Sequence, residues 1–232
     1  MKRVLIKLSG EALSHGTGEL YDNAFVDAVA AEISALVKSG YEIALVIGAG
    51  NIWRGREGTD MDRTEADRMG MLATLINAIC MKDAIKRAGT PAVVMSAFPT
   101  YPMAESYSSD AARAYLEGGT VVVLGGGLGI PYLSTDTTGA VRAKELDCDA
   151  MLMAKNVDYI YTADPKKDPN AKRLERVKAS EVLAMNLKAL DATATAFCLS
   201  SGMPIYVFGM QSPDDITKAI RGEKSGTVVD PA

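Results

Sequence analysis

The sequence predicts an α/β fold in which a mostly parallel central sheet lies between two layers of helices. Two observations favour it: short apolar runs alternate with amphipathic stretches along the chain, and no Pro/Ser-rich linker, low-complexity segment or repeat interrupts that order. The chain has 232 residues, of which 48% are hydrophobic, enough for a sizeable core. We therefore expect a three-layer α/β/α architecture in a single domain over residues 1–232.

The apolar positions predict each element in turn. A buried strand over 4–8 precedes a helix that Asp22 caps, in which apolar residues recur every fourth position until Gly40. A strand over 43–47 and a helix over 69–80 follow by the same reasoning. The other predicted strands span 92–95, 120–124, 150–153 and 205–208, and the other predicted helices span 110–117, 138–146, 180–187 and 214–220.

Composition excludes several classes of protein. The formal net charge is -4 with interspersed signs, so the chain has no basic patch and we expect no nucleic acid partner. Cys80, Cys148 and Cys198 lie far apart and the chain has one histidine, so neither disulfides nor a protein-held metal is expected. No apolar run approaches the roughly 20 residues that span a bilayer, and no signal peptide precedes the first strand. These features predict a cytoplasmic protein with no membrane partner.

Glycines follow three of the predicted strands, at Ser9-Gly10, at "GAGN" (48–51) and at "GGGLG" (125–129). The carboxyl ends of parallel strands share one edge of the sheet, where glycine lets backbone N–H groups approach phosphate oxygens. Lys7 lies in the first strand near the same edge, and a lysine rarely enters a core strand without a partner. Neither the P-loop pattern nor GxGxxG is present. The pattern predicts an anionic ligand, although Lys7 could instead pair with a carboxylate.

Six segments, in order along the chain, resemble bacterial UMP kinases of the amino acid kinase family. They are "IKLSGEAL", "VIGAGNIWRG", "DRMGMLATLINA", "GIPYLSTDT", "VDYIYTADPKKDP" and "GEKSGTVV". The resemblance implies the carbamate kinase-like fold and the reversible transfer of the ATP γ-phosphoryl group to UMP, giving UDP and ADP, in pyrimidine nucleotide biosynthesis. It also implies Mg²⁺ bound with ATP and a homohexamer.

The same resemblance implies roles on the ATP side. Lys7 and Arg54 would stabilise charge on the transferring group, and Asp191 would orient the lysine, although Asp191 fits a helix N-cap equally well. Lys155 would add positive charge near the phosphates. The implied ATP-binding residues are Lys7, Leu8, Ser9, Gly10, Gly50, Arg54, Asn156, Tyr161 and Asp164.

On the UMP side, the resemblance implies that Asp67 accepts hydrogen bonds from the ribose hydroxyls, although a helix-start aspartate is the other interpretation. The implied UMP-binding residues are Ala49, Asp67, Leu128, Gly129, Ile130, Pro131, Tyr132, Leu133, Ser134 and Thr135. Two of them depart from the family pattern. Ala49 replaces a glycine, and we expect alanine to be tolerated if this position does not need a positive φ. Ile130 replaces an asparagine that many relatives have, so a side-chain contact with UMP at this position stays open.

By this resemblance, residues 1–150 would supply mainly the UMP site and the oligomer contacts, and residues 151–232 mainly the ATP site. Two other functions remain open. One is a related kinase for carbamate, an acidic amino acid or isopentenyl phosphate, although isopentenyl phosphate kinases use a histidine beside the second glycine turn, where this chain has none. The other is an oxyanion-holding protein similar to molybdenum storage proteins.

Regulation is a further expectation from the resemblance. UTP would inhibit by occupying the acceptor site. The segments associated with GTP activation depart from the family pattern, at "GTGELYDN" and at Lys86, where some relatives have a histidine. We therefore expect weak or absent activation by GTP.

Overall fold

The order of strands and helices follows the predicted alternation. The computed structural model describes residues 1–53, 60–165, 167–187 and 190–232. The strands are β1 Arg3–Leu8, β2 Glu42–Ile47, β3 Ala92–Ser96, β4 Glu105–Ser106, β5 Val121–Gly125, β6 Ala150–Lys155, β7 Ile160–Tyr161, β8 Arg173–Leu174, β9 Arg176–Lys178, β10 Ile205–Gly209 and β11 Gly226–Asp230. The helices are α1 Gly10–Ser14, α2 Asn23–Lys38, α3 Arg63–Arg87, α4 Ser109–Glu117, α5 Thr135–Glu145, α6 Ala179–Ala184, α7 Ala192–Ser201 and α8 Asp215–Arg221.

Within the described ranges, nine strands form one sheet in the order β4-β3-β5-β2-β1-β6-β10-β11-β9. The pairs are parallel apart from β10 with β11, so the predicted mostly parallel sheet is confirmed. Ile6 of β1 lies opposite Leu45 of β2 on one side and Leu152 of β6 on the other. The strand order therefore reverses beside β1, and the carboxyl ends of open parallel sheets bind ligands at such a point.

Helices cover both faces of this sheet, as the fold prediction requires. Phe25 and Ile33 of α2, Met81 of α3 and Ile216 of α8 belong to one buried apolar cluster. The opposite face packs against α4 to α7 through a second cluster that includes Leu116. Each fully buried leucine or isoleucine stabilises the fold by about 1.5–3 kcal/mol relative to an exposed position. The three-layer α/β/α architecture is confirmed.

Two helices differ from their predicted bounds in ways that affect the site. α3 runs from Arg63 to Arg87, beyond the predicted 69–80 at both ends, and it begins early because Asp62 caps it with hydrogen bonds from the Thr64 and Glu65 amides. α5 begins at Thr135 rather than at residue 138, because the Ser134 side chain accepts from the Thr137 amide. Its first turn is polar and therefore lacks the apolar periodicity that predicts helices.

Several short elements and the antiparallel strand β11 were not predicted. The strands β4, β7, β8 and β9 have two or three residues each, too few for a periodic pattern. The described helices include none that is both long enough and apolar enough to cross a membrane.

Candidate active site

A buried lysine pair flanks one carboxylate at the carboxyl edge of the sheet. The Lys7 ammonium lies 2.6 Å from Asp136 Oδ1, and the Lys155 ammonium lies 2.8 Å from Asp136 Oδ2. Lys7 is next to last in β1, Lys155 ends β6, and Asp136 is in the first turn of α5. Because β1 and β6 are parallel neighbours, their ends bring the two lysines together. Lys7 thus does pair with a carboxylate, within a cluster that has a surplus of positive charge.

Burial controls the electrostatics of this cluster. Burial lowers the pKa of the Lys7 ammonium below its usual range; Asp136 opposes this effect and Lys155 adds to it. Burial alone would raise the pKa of Asp136, but Lys7 and Lys155 outweigh it and lower that pKa to about 2. Asp136 is therefore ionised at neutral pH. The cluster can attract an anion to Lys7 and Lys155 while Asp136 holds both ammonium groups in place.

The lysine pair lines a cavity of about 420 Å³ together with Ser134, Asp136 and Asp191. The helices α5 and α7 both begin at this cavity, so their N-terminal dipoles favour an anion there, while the two lysines and two aspartates of its lining balance in formal charge. Asp191 accepts hydrogen bonds from the Ser134 hydroxyl at 2.5 Å and the Thr137 hydroxyl at 2.6 Å. It also accepts from the Thr193 amide, which confirms the predicted N-cap.

The direct carboxylate partner of Lys7 is therefore Asp136, whereas Asp191 joins the first turns of α5 and α7. Asp191 lines the same cavity as Lys7, so its implied part in orienting the lysine stays a prediction.

The first two glycine turns pack directly on each other. Leu8 ends β1 and is fully buried, and the Ser9 side chain accepts from the Ala12 amide at the start of α1. A Cβ atom added to Gly10 would lie 2.5 Å from the Gly48 carbonyl oxygen and 2.7 Å from the Gly50 nitrogen. Only glycine permits this approach.

Ala49 and Gly50 of the second turn line a second cavity, described next. Ala49 has no positive φ, which meets the backbone condition for an alanine there, and its tolerance in the site stays a prediction.

The second cavity, of about 350 Å³, lies on the side of α3 and the third glycine turn. Its lining includes Asp67, Met71, Thr74, Gly127 and Trp53. Of the residues implied for UMP, the lining also contains Ala49, Asp67, Ile130, Leu133, Ser134 and Thr135. Ser134 lines both this cavity and the lysine cavity, so the two adjoin there.

Hydrogen bonds from α3 hold the loop that follows β5. The Gly126 amide donates to the Thr74 hydroxyl at 2.9 Å, and the Tyr132 amide donates to Asp67 Oδ2 at 2.8 Å. Positive φ angles at Gly126, Gly127 and Gly129 shape the loop and suit glycine there. Asp67 also pairs with Arg63 at 2.9 Å, and the Arg63 guanidinium lies over the ring of Tyr132.

The side chains of Ile130 and Tyr132 are largely exposed, and Leu128 and Pro131 are half-buried. The loop therefore offers mainly backbone groups and apolar surface to a ligand.

The remaining residues implied for ATP lie beyond β6. Asn156 and Asp164 are exposed, and Tyr161 is half-buried in the β7–β8 hairpin. Their grouping around a nucleotide stays a prediction. Arg54 lies outside the described residues.

The sequence patterns did not single out Asp136, Thr74 or Asn77, although all three hold parts of the site. Asp136 had one available signal, because a lysine in a buried strand calls for a nearby carboxylate and "STDT" follows the third glycine turn. Thr74 and Asn77 lie within the segment "DRMGMLATLINA", but the resemblance was not used to assign either of them a role.

Comparison with known proteins agrees with this geometry. The amino acid kinase family model matches residues 2–209. The chain therefore belongs to the amino acid kinase family.

Within that family, the chain is similar to solved UMP kinases. The UMP kinase from Bacillus anthracis is 35% identical, with a TM-score of 0.94, and the match covers 99% of this chain and 96% of that one. The UMP kinase from Ureaplasma parvum is 34% identical, with a TM-score of 0.93 and coverage of 99% and 98%. The uridylate kinase from Archaeoglobus fulgidus is 26% identical, with a TM-score of 0.74 and coverage of 99% and 100%.

Proposed function

We propose that the protein is a UMP kinase that transfers the γ-phosphoryl group of ATP to UMP. The observation that carries this proposal is the meeting of two cavities at Ser134, one holding Lys7 and Lys155 and the other holding Asp67. A phosphoryl transferase needs its donor and acceptor phosphates side by side, with positive charge at their junction. The similarity to UMP kinases supports UMP as the acceptor.

In the proposed reaction, an oxygen of the UMP phosphate forms a bond to the γ-phosphorus of ATP. The bond from that phosphorus to the β–γ bridging oxygen breaks, leaving ADP, and the reverse reaction follows the same path. Lys7 and Arg54 stabilise the charge on the transferring group, and no protein nucleophile takes part. Asp67 accepts hydrogen bonds from the UMP ribose, and the loop over 128–135 encloses the uracil. Asn156, Tyr161 and Asp164 bind the adenosine part of ATP.

Mg²⁺ enters this proposal with ATP. Mg²⁺ keeps several waters and binds phosphate oxygens with few protein ligands, and it neutralises charge on the transferring group. Among the described residues, no group of three or more His, Cys, Asp or Glu side chains could hold a metal ion, and Asp136 already pairs with two ammonium groups. The donor set therefore fits a metal carried by the nucleotide.

A coupled assay of ADP and UDP formation tests the function. We expect turnover of UMP with MgATP and little turnover of CMP or AMP, because the loop over 128–135 presents backbone groups suited to the uracil edge. Comparable turnover of AMP would contradict the assignment of that loop. Turnover of carbamate or isopentenyl phosphate in place of UMP would favour the other kinase classes.

We also propose a homohexamer built as a trimer of dimers through the helices of the first half. Met69, Leu72 and Ile76 lie at i, i+3 and i+7 of α3 and are 39%, 52% and 51% exposed. This stripe lies apart from Ala73, Leu75 and Ala78, which face the core. An apolar stripe of this kind suits a second copy of the chain.

Inhibition by UTP follows from the same acceptor site, since UTP shares the uridine group and extends further phosphates toward Lys7 and Arg54. We propose that the protein works in the cytoplasm. The free thiols of Cys80, Cys148 and Cys198 support a reducing compartment.

A further inference from the structure

A fully buried amide lies where the two phosphate-binding turns meet. Asn77 of α3 has no exposed surface, and its Nδ2 donates to the Gly48 carbonyl oxygen at 2.7 Å and to Asn51 Oδ1 at 2.8 Å. Its Oδ1 accepts from the Tyr21 hydroxyl at 2.8 Å and from Asn51 Nδ2 at 3.2 Å. All four hydrogen-bonding positions of the amide are used. Three of these bonds go to the second glycine turn.

We propose that Asn77 is a positioning residue that fixes the ATP-side and UMP-side turns relative to each other. This inference rests on the proposed function, in which those turns hold the donor and acceptor phosphates. It assigns a role in catalysis to a residue that lines neither cavity.

The bond from Asn77 sets the orientation of one peptide group in the second glycine turn. The Gly48 carbonyl points at Asn77, and the peptide group is planar and trans. The Ala49 N–H therefore points to the opposite side, and Ala49 lines the acceptor cavity. Losing the bond from Asn77 would free this peptide group to rotate, and the N–H would lose its fixed direction.

The two turns contact each other at the atoms that Asn77 binds. A Cβ on Gly10 would meet Asn51 Oδ1 and the Gly48 carbonyl oxygen, each at 2.5 Å. These are the same two atoms that accept hydrogen bonds from Asn77. Asn77 therefore holds the surface on which the ATP-side turn packs. A shift of about 1 Å between reacting groups can cost about 10²-fold in rate.

The uridine contacts are independent of this amide. Asp67 and Thr74 hold the loop after β5 by their own hydrogen bonds. Removing the Asn77 amide should therefore change the reaction rate more than the affinity for UMP. A purely structural role would instead reduce stability and leave the rate of the folded enzyme unchanged.

The test compares Asn77→Leu, Tyr21→Phe and Ser34→Ala in the full chain. Leucine has a similar shape and no hydrogen bonds, and phenylalanine removes only the hydroxyl that donates to Asn77. Ser34 is the matched control, because it is buried and bonds to the Ala88 carbonyl and Thr90, away from both turns. All measurements are made well below the unfolding temperature of each variant.

We expect Asn77→Leu to lower kcat by about 10- to 100-fold, with KM for UMP changed by less than about threefold. Tyr21→Phe should fold normally and lower kcat by a smaller factor. Ser34→Ala should lose stability with kcat unchanged. Because Asn77 and Asn51 share two bonds, Asn77→Leu and Asn51→Ala should be non-additive in ln kcat, whereas Asn77→Leu and Ser34→Ala should be additive.

A second readout separates failure of this inference from failure of the proposed function. The Ile52 and Trp53 amides donate to the Ala49 carbonyl, so their hydrogen exchange reports the order of the turn without any assay of activity. We expect both amides to exchange faster in Asn77→Leu and Tyr21→Phe than in the wild type. In Ser34→Ala they should exchange at the wild-type rate. A wild-type protein that forms no UDP refutes the proposed function. The exchange data still test whether Asn77 orders the second glycine turn.

Three outcomes would overturn the inference. They are unchanged exchange in the turn, a wild-type kcat in folded Asn77→Leu, or a loss of kcat in Ser34→Ala as large as that in Asn77→Leu. Where Asn77→Leu fails to fold, a wild-type kcat and wild-type exchange in Tyr21→Phe overturn it equally.

Discussion

Replacing Asp136 by asparagine removes the negative charge that holds two lysines and keeps the shape of the side chain. The ammonium groups of Lys7 and Lys155 lie 2.6 Å and 2.8 Å from the two carboxylate oxygens. Lys7 is only 6% exposed, so water in the adjoining cavity compensates poorly for the lost partner. We expect the variant to be less stable and to lose activity more steeply at high pH.

Two estimates set the size of the stability loss. The pKa of Asp136 falls from an ordinary 3.8 to about 2, which corresponds to about 2 kcal/mol at about 1.4 kcal/mol per pKa unit. Removing one partner of a buried ion pair costs about 3–5 kcal/mol, because the other charge stays buried and unpaired. The second range also includes the cost of leaving the Lys7 ammonium buried without a partner, so we expect the free energy of unfolding to fall by about 3 kcal/mol at pH 7.

The sign of the pH dependence follows from the lowered pKa. A carboxyl whose pKa is lower in the folded state stabilises the fold above about pH 4 and loses that contribution as pH falls toward 2. Urea unfolding of wild type and Asp136→Asn should therefore differ by a constant amount between pH 5 and pH 7. About half of the carboxyl's own contribution should be gone at pH 3.

The control is Asp110→Asn, which breaks a pair of the same length at the surface. Asp110 lies 2.6 Å from Arg113, and its side chain is 88% exposed. Exposed pairs contribute about 0–1 kcal/mol, so this variant should remain close to wild type. Equal losses in the two variants, or a gap for Asp136→Asn that does not narrow below pH 4, would refute the reasoning.

Activity gives an independent measurement. Burial already lowers the pKa of Lys7, and losing the carboxylate lowers it further. More Lys7 is then neutral as pH rises, so kcat of the variant should begin to fall at a lower pH than kcat of the wild type. A parallel profile in both proteins would mean that Asp136 does not control the charge of Lys7.

Three further predictions concern the reaction, the assembly and regulation. Lys7→Ala and Arg54→Ala should each lower kcat by about 10²–10³-fold and change the affinity for UMP less. The fluorescence of the single tryptophan, Trp53, which lines the acceptor cavity, measures that affinity, and an unchanged kcat would mean that the charge does not act on the transition state. Light scattering at micromolar concentration should give a hexamer, and Ile76→Glu should reduce its size; a wild-type monomer would refute the proposed assembly. Initial rates at fixed ATP should show UTP inhibition that excess UMP relieves and little activation by GTP, whereas several-fold activation by GTP would contradict this expectation.

The fold was predictable where burial imposes a pattern. Continuous apolar runs such as Val121–Leu124 and regular spacing in α2 indicated the parallel strands and their covering helices. The short strands and β11 depend on pairing with distant residues, which local sequence does not encode. α5 was predicted to start late, because its first turn serves the site instead of the core.

The candidate site was predictable in part for the same reason. Lys7 and the three glycine turns stand out because they break an apolar pattern, and the structure places them at one edge of the sheet. Asp136 and Asn77 lie within helices and break no apolar pattern. Even so, Asp136 neutralises a buried charge, and Asn77 has a partner for every hydrogen-bonding position of its amide. Their importance depends on contacts across 129 and 29 positions of the chain.

The central place of β1 also affects how the protein is made. One edge of β1 has its partner β2 available early in synthesis, since Val4 lies opposite Ile43. Its other edge pairs with β6, which begins at Ala150 and is synthesised about a hundred residues later. At about 5–20 residues per second, a ribosome leaves that edge open for roughly 5–20 seconds. During this time the nascent chain exposes an unpaired apolar strand at its own centre, where chaperones or other nascent chains can bind.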